Sequence, residues 1–117
     1  MKKPELKVNL RKAQDSVFVI DLLGEVTSFG EGPLMEAFKQ AGDAGAQALI
    51  FNFRDVEFMN SGGIGLLVTV LIRANRQGIR LSAVELNEHY RRIFELTSLN
   101  EAIHIFEREE DALAEVV

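Results

Sequence analysis

Phe58-Met59-Asn60-Ser61-Gly62-Gly63-Ile64-Gly65 sets a lone hydroxyl between an apolar strand and an apolar helix. Just upstream, Ala48-Leu49-Ile50-Phe51-Asn52-Phe53 is short and almost wholly apolar, the pattern of a strand at a sheet centre. Downstream, the apolar pattern from Ile64 predicts a helix to about Arg76, ended by Gly78. Three glycines open that helix, and each costs about 1 kcal/mol relative to alanine. Such a run means that the backbone must approach something closely. A phosphate group, a partner surface and the sheet beneath all satisfy that requirement on the residues alone.

The flanks extend this strand–turn–helix unit in both directions. Leu6 to Leu10 alternates as a half-buried strand does, and Val17 to Leu23 is a second, more apolar strand. Polar Arg11 to Ser16 between them suits a hairpin turn. Gly24 is expected to end the second strand, with a loop from Thr27 to Gly32. Pro33 fits the first position of a helix whose buried stripe is Leu34, Met35, Ala37, Phe38 and Ala41, stopped by Gly42 and Gly45. Arg54 to Met59 reads as a crossing segment. Ile79 to Val84 is a fourth strand. Asn87 can cap a helix carrying Tyr90, Ile93, Phe94 and Leu96 on one side. Ile103 to Phe106 is a last strand, and Arg108 to Val117 a terminal helix with Ala112, Leu113 and Val116 inward. Two strands followed by alternating helices and strands imply an α/β fold: a mixed, mostly parallel sheet with an antiparallel edge.

Composition narrows the function. The 117 residues are enough to bury a core, 47% are hydrophobic and 26% charged, and a single globular domain spanning 1–117 is expected. The net charge of -5 disfavours a broad nucleic-acid surface. Lys2, Lys3, Lys7, Arg11 and Lys12 are expected to form a solvated strand edge. Without cysteine there are no disulfides and no thiolate chemistry. Pro4-Glu5 follows Met1-Lys2-Lys3 where a secretion signal would be apolar. The apolar run Ile64 to Ile72 is far short of the ~20 residues that span a bilayer. A soluble, cytoplasmic protein that binds neither membrane nor nucleic acid directly is expected.

No catalytic constellation assembles. The two histidines, His89 and His104, lack the converging ligands that a metal requires. Ser61 has Met59 where a nucleophile elbow has glycine. Asp55 and Glu57 alternate with Val56 and Phe58, as the solvent side of an extended segment does. No lysine follows the last glycine, so the phosphate-loop pattern fails. No cofactor is implied, and the chain is not expected to be an enzyme.

The residues resemble those of a stand-alone STAS domain, the module shared by anti-sigma factor antagonists and sulfate-transporter tails. Gly24-Glu25-Val26-Thr27 is similar to the family's Gly-Glu-Leu-Asp after the second strand. Phe51-Asn52-Phe53-Arg54-Asp55-Val56 resembles its central strand and turn. Phe58 to Gly65 resembles its Asp-Ser-Ser/Thr/Ala-Gly-Leu-Gly signature. Arg92-Ile93-Phe94-Glu95-Leu96-Thr97-Ser98-Leu99 resembles the helix that ends in Leu-Thr-Gly-Leu. The likeness spans nearly the whole chain in order.

The resemblance implies about five strands flanked by about four helices. It makes Ser61 a phosphoacceptor, modified by an anti-sigma factor that is itself a serine-protein kinase and restored by a serine phosphatase. It places Thr27, Ser28, Asn60, Ser61, Gly62, Gly63 and Ile64 at the partner-binding end of the sheet, on a monomer or weak dimer of the bacterial regulatory type. Asn60 and Thr27 stand where the family has acidic residues, and Gly62 replaces a second hydroxyl or small residue. The local negative potential is therefore weaker here. A STAS scaffold that is not phosphorylated, with Ser61 only capping the helix, and a module binding a small anion or nucleotide are the alternatives.

Overall fold

The computed structural model describes residues 5–115. Five strands, β1 (Leu6–Gln14), β2 (Val17–Val26), β3 (Ala48–Met59), β4 (Arg80–Val84) and β5 (His104–Phe106), form one sheet in the order β1-β2-β3-β4-β5. β1 and β2 are antiparallel, and the other pairs are parallel. The helices are α1 (Glu31–Asp43), α2 (Ser61–Gln77), α3 (Glu88–Leu96) and α4 (Glu109–Glu115), with short 3-10 turns at Ser28–Gly30 and Leu99–Glu101. This is the mixed, mostly parallel five-stranded sheet with four helices that the sequence predicts.

The alternation of side chains assigns the two faces. Phe18, Ile20 and Leu22 of β2, with Leu49, Phe51 and Phe53 of β3, meet α1, α2 and α3 in the larger core. Phe53 meets Phe94 of α3 edge-on at 5.8 Å, an arrangement that aromatic quadrupoles favour. The opposite residues, Val17, Val19, Ala48, Ile50 and Val84, form a second small core under α4, through Ala112 and Leu113.

Several boundaries differ from expectation, each for a local reason. The hairpin turn narrows to Asp15 and Ser16, because Arg11, Lys12 and Gln14 pair with β2 along the sheet edge. Arg11 is no solvated edge residue. Its guanidinium donates to both oxygens of Asp21 (2.8 and 3.1 Å) and to Glu109, tying the hairpin to α4. Lys2 and Lys3 lie outside the described residues. Gly24 does not end β2: at φ 101° it lets the strand continue, and the place of its missing Cβ lies 2.6 Å from the Glu5 carbonyl oxygen. Arg54 to Met59 is no crossing segment but the second half of β3, paired with Leu23 to Val26 through two register shifts. Its charged, solvent-facing residues hide it from a reading based on apolar runs.

Pro33 is the third helical position, since α1 starts at Glu31. The first N–H groups of a helix need no helical partner, so proline is tolerated there. Gly42 lies within α1, and the helix closes at Ala44 before Gly45 at φ 89°. Leu96 is 78% exposed and not inward. It stands two residues past buried Phe94, about 200° around the helix. Val116 lies outside the described residues.

Candidate functional site

β3 ends at Met59, and the chain turns at once into α2. Asn60 is the N-cap, extended at φ -121°. Its Oδ1 accepts from the Gly63 N–H at 3.0 Å, and its own N–H donates to the Val26 carbonyl at 3.3 Å. The expectation that the Ser61 hydroxyl caps the helix is therefore corrected: an asparagine side chain reaches the third amide, and Ser61 takes the first helical position. Ser61 is exposed, and among the described residues its hydroxyl forms no hydrogen bond. Of the four orphan amides at the helix start, that of Asn60 donates to the Val26 carbonyl and that of Gly63 to the Asn60 side chain, while the Ile64 amide makes the first regular helical bond, to the Asn60 carbonyl. Those of Ser61 and Gly62 have no protein partner among the described residues.

The glycines have distinct roles. Gly63 is buried, and a Cβ there would lie 2.0 Å from the Val26 carbonyl oxygen. Of the three close approaches that the sequence allows, this glycine serves the sheet beneath. It is not available as a contact for a partner. Gly62 is half-buried and tight, its Cβ position 3.2 Å from the Ser28 nitrogen. Gly65 faces open space. Ile64 is half-buried against the main core.

Thr27 also departs from expectation. It is only 2% exposed, and its Oγ1 accepts from the Phe29 N–H at 3.2 Å. It caps the 3-10 turn from beneath and presents no hydroxyl at the surface. Ser28 is exposed beside Gly62. Ser28, Asn60 and Ser61 are therefore exposed together at one end of the sheet, on a base set by Thr27 and Gly63.

Sequence reasoning missed an apolar border to this patch. Phe29, in the 3-10 turn beside α2, is 63% exposed. Val68 (36%) and Ile72 (48%) continue a stripe from Ser61 through Gly65 at alternating spacings of four and three. That spacing places them on one helix face. The stripe was legible, but every face of α2 contains apolar residues, so nothing marked this one as exposed.

A separate polar cluster lies on the α4 side of the sheet. Arg11 holds the Asp21 carboxyl below its ordinary pKa, with Asn52 and Asn9 also donating to it. The hydrogen bonds of Arg11 to Glu109 first, and then to Asp21, raise its own pKa. Among the described residues no group of acidic or histidine side chains is placed to hold a metal, and no helix is long and apolar enough to cross a membrane. His89 is exposed and tilts against the Tyr90 ring at 5.5 Å.

Comparison with known proteins agrees with the architecture. The anti-sigma-B factor antagonist of Staphylococcus aureus (strain NCTC 8325 / PS 47) is 27% identical over 94 residues, 80% of this chain and 87% of that protein. An anti-sigma factor antagonist from Mycobacterium paratuberculosis superposes with a TM-score of 0.78 at 23% identity, covering 96% of this chain and 94% of the other. The anti-sigma factor antagonist SpoIIAA superposes in its unphosphorylated form (TM-score 0.73, 93% and 96% covered) and in its phosphorylated form (0.70, 94% and 99%), both at 21% identity. Residues 10–112 match the STAS domain family, and the chain belongs to it.

Proposed function

We propose that this chain is an anti-sigma factor antagonist, a single-domain, cytoplasmic binding module without enzymatic activity. It docks on a cognate anti-sigma factor through the surface at Ser28, Phe29, Asn60 and Ser61. Val68 and Ile72 extend that contact along α2. The anti-sigma factor is also a serine kinase. It transfers a phosphoryl group to the Ser61 oxygen and thereby ends the interaction, and a serine phosphatase reverses the step.

One observation carries this reading. Ser61 is exposed at the first position of α2, with its hydroxyl left uncommitted by the Asn60 cap. A phosphoryl group there adds a charge of about -2 and three acceptor oxygens. Within the domain, the free Ser61 and Gly62 amides and the helix dipole tolerate that charge, with up to about 1 kcal/mol of favourable interaction. In a desolvated interface it has no partner, and burying it costs several kcal/mol. Binding is lost while the fold is kept. Asn60 serves this arrangement without a carboxylate: it caps the helix and adds no like charge beside the acceptor.

The relatives that match are named as antagonists, and SpoIIAA exists in both phosphorylation states. The test is to incubate the chain with the kinase drawn from its host by pull-down, and to map phosphate by mass spectrometry. Phosphate on Ser61, with release of the kinase, is the expected result. Retained binding without phosphate on Ser61 would assign the chain a scaffold role instead.

A further inference from the structure

We propose that the cleft where β4 runs past the end of β5 binds a small zwitterion with an apolar body, of the kind exemplified by an apolar α-amino acid. β5 has three residues and pairs with Ser82 to Val84, so Arg80 and Leu81 have no strand beside them on that edge. The space left is a cleft of about 300 Å³. That is the small end of the range for ligand sites, roughly 300–1,000 Å³.

The lining is chemically divided. Ser82 is 6% exposed and borders the cleft. It is one of two buried polar residues, and the other, Thr27, is satisfied by the Phe29 amide. Among the described residues the Ser82 hydroxyl forms no hydrogen bond, and no buried side-chain oxygen is left without a partner, so this oxygen keeps access to solvent although the residue is buried. Arg80 lies two residues before Ser82 on the same face of β4, and His104 is the neighbour of Ser82 on β5. A guanidinium, a hydroxyl and an imidazole thus border one wall, a set suited to a carboxylate.

Glu115, in the last turn of α4, borders the same cleft. Among the described residues neither Arg80 nor Glu115 takes part in an ion pair. A polyanion such as a nucleotide would meet the Glu115 carboxylate, and a simple cation would meet Arg80. A molecule with a carboxylate and an ammonium group answers both, while Phe106, which is half-buried, and Ala102 border its apolar portion. The site lies at the N-terminal end of parallel β4, and Ser61 follows the C-terminal end of β3. It is therefore at the opposite end of the sheet, and its fate is independent of the proposed switch.

The experiment is an NMR titration of the full ¹⁵N-labelled chain with L-leucine. 4-Methylpentanoate, lacking the ammonium, and 3-methylbutylamine, lacking the carboxylate, are titrated in parallel. The expected result is saturable shifts confined to Ile79–Ser82 and Ala102–Phe106, with each half-ligand at least tenfold weaker. Arg80→Gln, at an exposed position, and Ser82→Ala, which removes one oxygen, should retain the wild-type spectrum elsewhere and weaken binding tenfold or more. Absence of shifts at millimolar L-leucine, shifts centred elsewhere, or unchanged affinity in both variants would overturn the proposal.

Discussion

Replacing Gly63 by alanine adds a single carbon, and the structure says where it must go. Its Cβ would lie 2.0 Å from the Val26 carbonyl oxygen, 2.6 Å from the carbonyl carbon and 2.9 Å from Val26 Cγ1. Carbon and oxygen at rest stay more than 1 Å farther apart than the first of these distances. The obstacle is backbone, and the same carbonyl accepts from the Asn60 amide, so it cannot rotate away cheaply. Two effects oppose each other. Alanine in a helix gains about 1 kcal/mol over glycine. Overpacking costs about 1–3 kcal/mol, more where the surroundings are rigid, and here both partners are fixed by the sheet and the cap. The cost wins, and a net destabilisation of about 2 kcal/mol follows, or roughly 8 °C in Tm for a domain of this size. Gly65→Ala is the internal control. Nothing lies within 4 Å of its Cβ position, so only the propensity gain remains, and stability should rise by about 0.5–1 kcal/mol. Urea denaturation of both variants reads the pair. A Gly63→Ala protein as stable as wild type would refute the claim that this glycine exists to seat α2 on β2.

The other consequences are quickly stated. Asn60→Ala should lose about 1 kcal/mol with the cap, while Asn60→Asp should stay within a few tenths in denaturant titrations; equal loss in both would show that the cap contributes nothing. Ser98 holds φ 60°, a region that costs side-chain-bearing residues about 1 kcal/mol. Ser98→Gly should therefore raise the urea midpoint slightly, and a lowered midpoint would contradict the strain. Asp21 has its carboxyl pKa lowered by Arg11, so its contribution is complete above the unfolded value of about 3.9 and disappears as pH falls through the folded one. The stability gap between wild type and Asp21→Asn should be widest near about pH 6 and should narrow as pH falls below the ordinary carboxylate range. A gap independent of pH would count against the ion pair.

The fold was legible where apolar residues run at the period of their element. Val17–Leu23, Ala48–Phe53 and the α2 pattern sufficed for a mixed sheet with covering helices. What stayed hidden was strand structure without an apolar run. Arg54 to Met59 pairs with β2 through backbone bonds that no side chain announces, and Arg11 to Gln14 does the same on β1. At the site, the glycine run correctly signalled a close approach but not its object. Whether Gly63 faces a partner or Val26 depends on how the helix sits, a tertiary fact. The two capping residues were confused for the same reason: asparagine and serine both cap helices, and only the path of the chain assigns Asn60 the role. Thr27 sits inside its turn, while Phe29 two residues later is exposed, and the sequence reads more naturally the other way.

The most direct measurement is the dissociation constant of the anti-sigma factor complex before and after stoichiometric phosphorylation of Ser61, with Tm recorded for both forms. An unmatched charge in the interface should weaken binding about 100-fold or more, equivalent to roughly 2.7 kcal/mol, while Tm stays level or rises with the helix dipole interaction. An affinity unchanged by the phosphate, or a phosphorylated chain that has lost its fold, would contradict the account.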